Sequence, residues 1–171
     1  QDIFKKLIKA LKKSNNIVWL HCASLGEFEQ AKPIIKCYKL KNPDHQILLT
    51  FFSPSGFEIE KNTPLANWVF CLPADTKSNA KKFIQIVNPI KVIFIKYEFW
   101  FNYMAELHKK NIPLYSIATI FRNDQHFFKY KWFAKQLKHV THFFVQDEKS
   151  AQLLKKTGYN NCTISGDTRF D

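Results

Sequence analysis

The chain has 171 residues, and its 26 Lys and Arg against 14 Asp and Glu give a formal net charge of +12. That basic excess favours an anionic partner, whether nucleic acid, a phospholipid surface or a phosphorylated substrate, while a hydrophobic fraction of 46% excludes a disordered chain. The four cysteines are widely spaced and no apolar run reaches membrane-spanning length, which argues against a disulfide scaffold, a structural zinc site and a transmembrane helix within these residues.

Residues 1–15 are predicted to form a basic amphipathic leader helix. Apolar side chains repeat on one helical stripe and lysines take the other positions, the stripe being Ile3, Phe4, Leu7, Ile8 and Leu11. Such a helix either lies on an anionic membrane surface or covers a hydrophobic part of its own domain, and the sequence leaves both alternatives open. Because the chain starts with Gln instead of Met, we expect residues to precede it, where a membrane anchor would lie.

Residues 16–171 show the alternation of strands and helices that is typical of one α/β domain. Runs rich in β-branched and aromatic residues predict strands at 17–22, 47–52, 68–72, 91–96, 114–117, 142–145 and 162–165. Helical periodicity lies between them, at 27–40, 78–87, 101–110, 127–138 and 148–157. The predicted strands are mostly apolar along their whole length instead of alternating, as in parallel sheets covered on both faces. We therefore predict a Rossmann-like three-layer domain with a mainly parallel sheet, whose functional residues follow the strands.

The loop after the first predicted strand, residues 21–27, has two interpretations. Ser24 and Glu27 have the spacing of a capping box, in which each side chain bonds the backbone N–H of the other residue. Gly26, however, permits close approach of a ligand, and Glu27 at a strand-to-helix junction facing the crevice would serve as a general base.

The loop after the second predicted strand, residues 50–56, combines hydroxyl groups and a glycine with a helix start. Ser53, Ser55 and Gly56 therefore form either an ordinary N-cap turn or an anion-binding helix N-terminus. The loop is not a P-loop, and the chain contains no GxGxxG, so classical dinucleotide binding is disfavoured.

Two later loops are rich in aromatic residues. Glu98 follows the fourth predicted strand among four aromatics, where a carboxylate is costly to bury unless Lys96 or a backbone N–H pairs with it or the site uses it. Residues 121–139, after the fifth strand, hold five Lys or Arg and six aromatics. That composition is typical of a surface at lipid headgroups and also of one that stacks on single-stranded nucleic acid.

Taken in order, these loops resemble the N-terminal domain of the 3-deoxy-D-manno-octulosonic acid (Kdo) transferases. Seven short motifs of that family have counterparts here in the same order. They are HxxSxGE at residues 21–27, SPTG at 53–56, LPxD at 72–75, TELWPN at 97–102, IP at 112–113, a Gln after a strand at 146, and GNxKFD at 166–171. The chain departs from these motifs at Tyr97 and Phe101, which stand where the family has Thr and Pro. Its residues 118–120 also align poorly with the family's Asn-Ala-Arg, so Arg122 is the candidate for the role of that Arg.

The resemblance implies the N-terminal, acceptor-binding half of an inverting GT-B glycosyltransferase that moves Kdo from CMP-Kdo to a lipid A precursor in lipopolysaccharide biosynthesis. It implies that Glu27 is the general base, and that the acceptor site is lined by Ser24, Gly26, Ser53, Ser55, Gly56, Glu98 and Arg122. It implies no metal and no other cofactor, and a location at the cytoplasmic face of the bacterial inner membrane. CMP-Kdo would bind mainly a C-terminal donor domain that lies outside this chain, so we expect the fragment alone to be inactive.

Two alternatives stay open beside the resemblance. A basic polyanion- or nucleic-acid-binding α/β module would explain the charge of +12. It would not explain the carboxylates in two strand-end loops, which repel a phosphate backbone, so we expect no nucleic-acid partner. Half of another GT-B sugar-nucleotide enzyme would share the fold, because a fold alone does not fix the chemistry.

Overall fold

A computed structural model describes residues 2–96 and 99–167, apart from the side chains of His126 and Phe127. The strands within these residues are β1 Ile17–Cys22, β2 Gln46–Phe51, β3 Trp68–Cys71, β4 Lys91–Ile95, β5 Leu114–Thr119, β6 His142–Val145 and β7 Cys162–Ile164. The helices are α1 Ile3–Leu11, α2 Leu25–Lys41, α3 Pro54–Glu60, α4 Lys77–Val87, α5 Phe101–Lys109, α6 His126–Lys129, α7 Lys131–Gln136 and α8 Glu148–Lys156, with a 3₁₀ turn at Leu137–His139.

The described strands form one sheet in the order β3-β2-β1-β4-β5-β6-β7, and every neighbouring pair is parallel. The chain thus builds the sheet outward from β1 to β3, then returns to the centre and builds it outward from β4 to β7. All strands end at the same edge, and the order reverses between β1 and β4. A crevice for ligands forms at such a reversal in open α/β sheets. The predicted Rossmann-like parallel sheet is confirmed.

The two faces of the central strand β1 are both covered, which explains its uninterrupted apolar run. On one face, the Trp19 ring lies 4.8 Å from that of Phe83 on α4 and 5.6 Å from that of Tyr103 on α5. On the other face, Leu20 belongs to a separate buried cluster that includes Phe28 of α2. The sheet is therefore the middle of three layers.

Helix α1 packs on its own domain. Leu7 and Leu11 are buried in the same cluster as Trp19, and the ammonium group of Lys82 on α4 lies 4.4 Å from the centre of the Phe4 ring. Of the two alternatives for this amphipathic helix, the structure bears out the intramolecular one. In the described part of the chain, no helix has both the length and the apolar character that crossing a bilayer requires.

The single helix predicted at 127–138 is wrong: the segment is broken at Tyr130, which has an extended backbone (φ −125°, ψ 121°). Phe128 before the break packs on Phe121, with ring centres 5.5 Å apart, and Phe133 after it packs on Phe101 at 5.6 Å. Residues five apart in a continuous helix point about 140° away from each other. The break therefore lets both rings pack against the domain.

Candidate functional site

Glu27 lies at the edge where the strand order reverses, in the first turn of α2 directly after β1. The side chain is 9% exposed, and its Oε2 atom accepts a hydrogen bond from the backbone N–H of Ala23 at 2.5 Å. This N–H group and the positive end of the α2 dipole both stabilise a negative carboxylate. The geometry therefore holds an oriented carboxylate at the carboxyl edge of the sheet.

The capping box predicted for this loop is wrong in both of its hydrogen bonds. Ser24 is the N-cap residue of α2, with an extended backbone, but its side chain makes no capping bond. Glu27 reaches back past Ser24 to Ala23. Ser24 is exposed instead.

The two glycines of these loops, Gly26 and Gly56, differ in the space that a side chain would have. A Cβ atom added at Gly26 would meet nothing within 4 Å, so packing does not require a glycine there. A Cβ atom at Gly56 would lie 2.9 Å from Cδ1 of Phe51 and 3.4 Å from the backbone nitrogen of Leu25. Gly56 thus lets α3 approach the start of α2, whereas Gly26 leaves open surface beside Glu27.

The loop after β2 is tied directly to the loop that carries Glu27. The backbone N–H of Ser53 donates to the carbonyl of Ala23 at 2.8 Å. The hydroxyl oxygens of Ser53 and Ser55 lie 2.7 Å apart. The structure therefore brings two of the predicted hydroxyl groups together and joins their loop to the Glu27 loop.

Trp100 brings the loop after β4 to the same place. Its ring centre lies 4.8 Å from that of Phe52, after β2, and 5.3 Å from that of His21, at the end of β1. Phe52 is 52% exposed, so the outer side of this aromatic cluster faces solvent. The predicted site residue Glu98 lies outside the described residues.

A buried hydrogen-bond chain supports this cluster from below. The indole N–H of Trp19 donates to the hydroxyl oxygen of Thr50 at 2.7 Å, and that oxygen lies 2.8 Å from Nδ1 of the buried His21. Because an indole N–H only donates, the Thr50 hydroxyl oxygen accepts it and links the two rings. His21 lies in the first motif and Thr50 at the end of the second predicted strand, but a contact across neighbouring strands leaves no local signal in the sequence.

The loop after β3 fixes the start of α5. The Asp75 carboxylate accepts hydrogen bonds from the backbone N–H groups of Asn102 at 3.2 Å and Tyr103 at 3.3 Å, and the Asn102 amide donates to the Asp75 carbonyl at 2.9 Å. The Tyr103 hydroxyl donates to the carbonyl of Pro73 at 2.9 Å. Burial, followed by the charge of Asp75, raises the pKa of Tyr103, which keeps this donor protonated. Asp75 thus supplies the cap that the N-cap residue Trp100 cannot.

Gln30 is buried close to Glu27, whereas Arg122 lies on an exposed loop after β5. Gln30, buried one turn after Glu27, donates its amide to Oδ1 of Asp167 at 3.2 Å, so the segment after β7 reaches α2. Arg122 is exposed in the loop after β5, where its backbone N–H donates to the Gln125 side chain at 3.1 Å. Among the described residues, Arg122 has no hydrogen bond and no ring contact with the Glu27 loop.

A second surface feature lies beside the start of α5. The rings of Trp132 and Phe133 on α7 lie 5.5 and 5.6 Å from that of Phe101, and Tyr130 and Trp132 are 56% and 57% exposed. Three exposed lysines accompany them: Lys129, Lys131 and Lys135. We call this group the aromatic–basic surface; it consists of Lys129, Tyr130, Lys131, Trp132, Phe133 and Lys135.

The fold and the position of this site define an open, parallel α/β domain of the Rossmann-like class, with its candidate site where the strand order reverses. A crystal structure of UDP-N-acetylglucosamine 2-epimerase superposes with a TM-score of 0.67 over 91% of this chain and 49% of that chain, at 11% identity, which shows the shared fold alone. The chain belongs to the 3-deoxy-D-manno-octulosonic-acid transferase (kdotransferase) family, whose model matches residues 1–171.

Individual relatives agree with the family model. The 3-deoxy-D-manno-octulosonic acid transferase of Aquifex aeolicus is 36% identical over 93 residues, which are 54% of this chain and 26% of that protein. The enzyme of the same name from Haemophilus influenzae is 34% identical over 98 residues, 56% of this chain and 23% of that protein. The match thus spans about a quarter of the length of these curated relatives. The resemblance predicted from the loops is confirmed.

Proposed function

We propose that this chain is the acceptor-binding domain of an inverting glycosyltransferase that moves Kdo from CMP-Kdo to a lipid A precursor in lipopolysaccharide biosynthesis. The observation that carries the proposal is the Glu27 carboxylate, oriented by the Ala23 N–H at the reversal of strand order. Membership of the Kdo transferase family supports the class of reaction.

Glu27 acts as the general base in this proposal. Its carboxylate takes the proton from an acceptor sugar hydroxyl while the hydroxyl oxygen attacks the anomeric carbon of Kdo. The new carbon–oxygen bond forms as the bond to the CMP phosphate breaks, and CMP leaves with that electron pair. A single displacement of this kind inverts the anomeric carbon. The step requires no metal and no cofactor other than the donor, CMP-Kdo, which binds mainly a separate donor domain.

The acceptor lies across the loops after β1 and β2. The exposed hydroxyl of Ser24 and the paired hydroxyls of Ser53 and Ser55 are suited to sugar hydroxyl and phosphate oxygens, and the open surface over Gly26 admits the acceptor. The last three residues of the proposed acceptor site have separate roles: Gly56 holds α3 in place, Glu98 contacts the acceptor, and Arg122 meets an acceptor phosphate.

The aromatic–basic surface binds the anionic membrane in which the lipid acceptor lies. Trp132 and Tyr130 are more than half exposed beside lysines, a combination suited to the headgroup region of a bilayer. Helix α1 is a weaker candidate, because four of the five residues in its apolar stripe pack in or against the core, and only Ile8 of the stripe is exposed. We accordingly propose a location at the cytoplasmic face of the bacterial inner membrane, and no nucleic-acid partner.

The general-base role is tested with Glu27→Gln in the intact enzyme. We expect transfer of Kdo to fall about 100-fold or more, because the amide cannot accept the acceptor proton. The matched control is Glu29→Gln, which makes the same chemical change at a half-exposed residue of the same helix, paired with Lys32 at 2.6 Å. A Glu27→Gln enzyme with near-normal transfer and a normal thermal midpoint would refute the role of Glu27 as base.

A further inference from the structure

A cavity of about 470 Å³ opens at the opposite edge of the sheet from Glu27, where β5 and β6 begin. Strand β5 has six residues and separates this cavity from the crevice by about 20 Å. The cavity lies between the end of α5 and the 3₁₀ turn. We call it the β5–β6 cavity.

The titratable side chains that line the β5–β6 cavity are all basic. Lys138, His108 and His139 line it together with the amide of Asn111 and the hydroxyl of Thr141, and the lining contains no Asp or Glu among the described residues. The Thr141 oxygen already accepts the backbone N–H of Leu114 at 3.1 Å, so its own hydrogen remains available to donate. Five side chains that donate hydrogen bonds therefore border one space.

The two histidines are held close together. Their ring centres lie 4.8 Å apart with a tilt of 58°, and Nδ1 of His139 is buried without a hydrogen-bond partner in the described structure. Burial, and then the charges of His108 and Lys138, lower the pKa of His139. Tyr159, after α8, also lies beside this turn, and it donates its hydroxyl to the carbonyl of Ala134 at 2.9 Å. An anion in the cavity would offset the repulsion that opposes protonation of His139.

A metal ion does not suit this donor set. Structural and catalytic transition-metal sites in proteins need three or four protein ligands. Nowhere in residues 2–96 and 99–167 do three His, Cys, Asp or Glu side chains gather closely enough to hold a metal ion. The ammonium group of Lys138 would in addition repel a cation from the two imidazoles.

We infer that the β5–β6 cavity binds a phosphate monoester or a similar small oxyanion, held by Lys138, His108 and His139 and accompanied by uptake of a proton. Protonated imidazoles donate from both ring nitrogens, so the anion gains charge-assisted hydrogen bonds when the histidines are charged. Binding is therefore tighter at pH 5.5 than at pH 8. This inference is independent of the proposed transferase activity, because the cavity lies at the other edge of the sheet.

The proton linkage is tested by titrating the full chain with sodium sulfate, whose charge is the same at pH 5.5 and pH 8, at constant ionic strength. We expect affinity to be about fivefold or more higher at pH 5.5, and the imidazole resonances of His108 and His139 to shift with sulfate in ¹⁵N NMR spectra. Equal affinity at the two pH values, or sulfate binding without a shift of either histidine, overturns the inference. The NMR measurement uses the unaltered chain and so does not depend on a variant folding.

Variants locate the anion. Lys138→Ala and His139→Asn should each weaken sulfate binding about fivefold or more at pH 5.5. Lys109→Ala is the matched control, since it removes the same charge from an exposed residue at the end of α5 that does not line the cavity. Equal weakening by Lys109→Ala and Lys138→Ala would show only general charge attraction and overturn the site.

The source of the phosphate is distinguished by two further probes. Inorganic phosphate tests a free anion, and phosphatidylcholine vesicles with and without phosphatidic acid test a lipid headgroup. Binding of either probe that is lost in Lys138→Ala but kept in Lys109→Ala supports the site and identifies its source. Binding of neither overturns the inference.

Discussion

The carboxylate of Asp75 accepts the backbone N–H of Tyr103 at 3.3 Å across the gap between the loop after β3 and the start of α5. Together with the bond from Asn102, this contact caps a helix whose own N-cap residue, Trp100, has no side chain able to do so. The aromatic cluster at the crevice therefore depends on a carboxylate from a distant loop.

Replacing Asp75 should consequently destabilise the domain. We expect Asp75→Ala to lower the free energy of unfolding by about 1–2 kcal/mol, the upper range for loss of a helix cap, as measured by urea denaturation. Asp44→Ala, at an exposed turn residue, is the control and should change stability by less than about 0.5 kcal/mol. Equal effects of the two substitutions would contradict the capping role.

The two glycines of the site should respond oppositely to alanine. At Gly56 the added Cβ would stand 2.9 Å from Cδ1 of the buried Phe51, so we expect Gly56→Ala to cost about 1–3 kcal/mol of stability. At Gly26 the added Cβ meets nothing within 4 Å, so Gly26→Ala should leave stability unchanged or raise it by up to about 1 kcal/mol, since alanine favours helices. Thermal and urea unfolding of the two variants would settle the comparison, and a loss of stability at Gly26 would contradict the open surface.

Much of this fold follows from the sequence because parallel strands carry their own signal. Strands β1 and β6 have the bounds that their runs of β-branched and aromatic residues predict, and every residue of β1 is buried because both faces of the sheet are covered there. The position of Glu27 follows as well, because a residue in the loop after the first strand of such a sheet lies at its carboxyl edge.

The contacts that tie the site together could not be predicted in the same way. Asp75 meets Asn102 at a separation of 27 residues, and Gln30 meets Asp167 at 137. Such pairs are set by the packing of whole helices and leave no periodic pattern in the chain. The break at Tyr130 cannot be predicted for a related reason, because helical periodicity does not show which rings must pack against the domain.

The aromatic–basic surface predicts a measurable affinity for membranes. Trp132→Ala should weaken binding to vesicles that contain anionic lipid about tenfold, because it removes the largest exposed ring from that surface. The control is Leu40→Ala, an apolar side chain that is 85% exposed at the end of α2, well away from α7 in the chain. Co-sedimentation with the vesicles would measure both, and equal loss from the two variants would contradict a specific membrane-binding surface.

His139 should make the stability of the domain depend on pH. Its pKa in the folded state is lowered from 6.5 by burial, His108 and Lys138. The unfolded chain therefore binds more protons than the folded one below about pH 6.5, so the contribution of this group to stability is lost as the pH falls from there toward the folded pKa. His139→Asn should flatten the decline in the urea midpoint between pH 7 and pH 5, whereas His142→Asn, which changes an imidazole outside the β5–β6 cavity, should not. If His139→Asn left the decline unaltered, a different group would have to cause it.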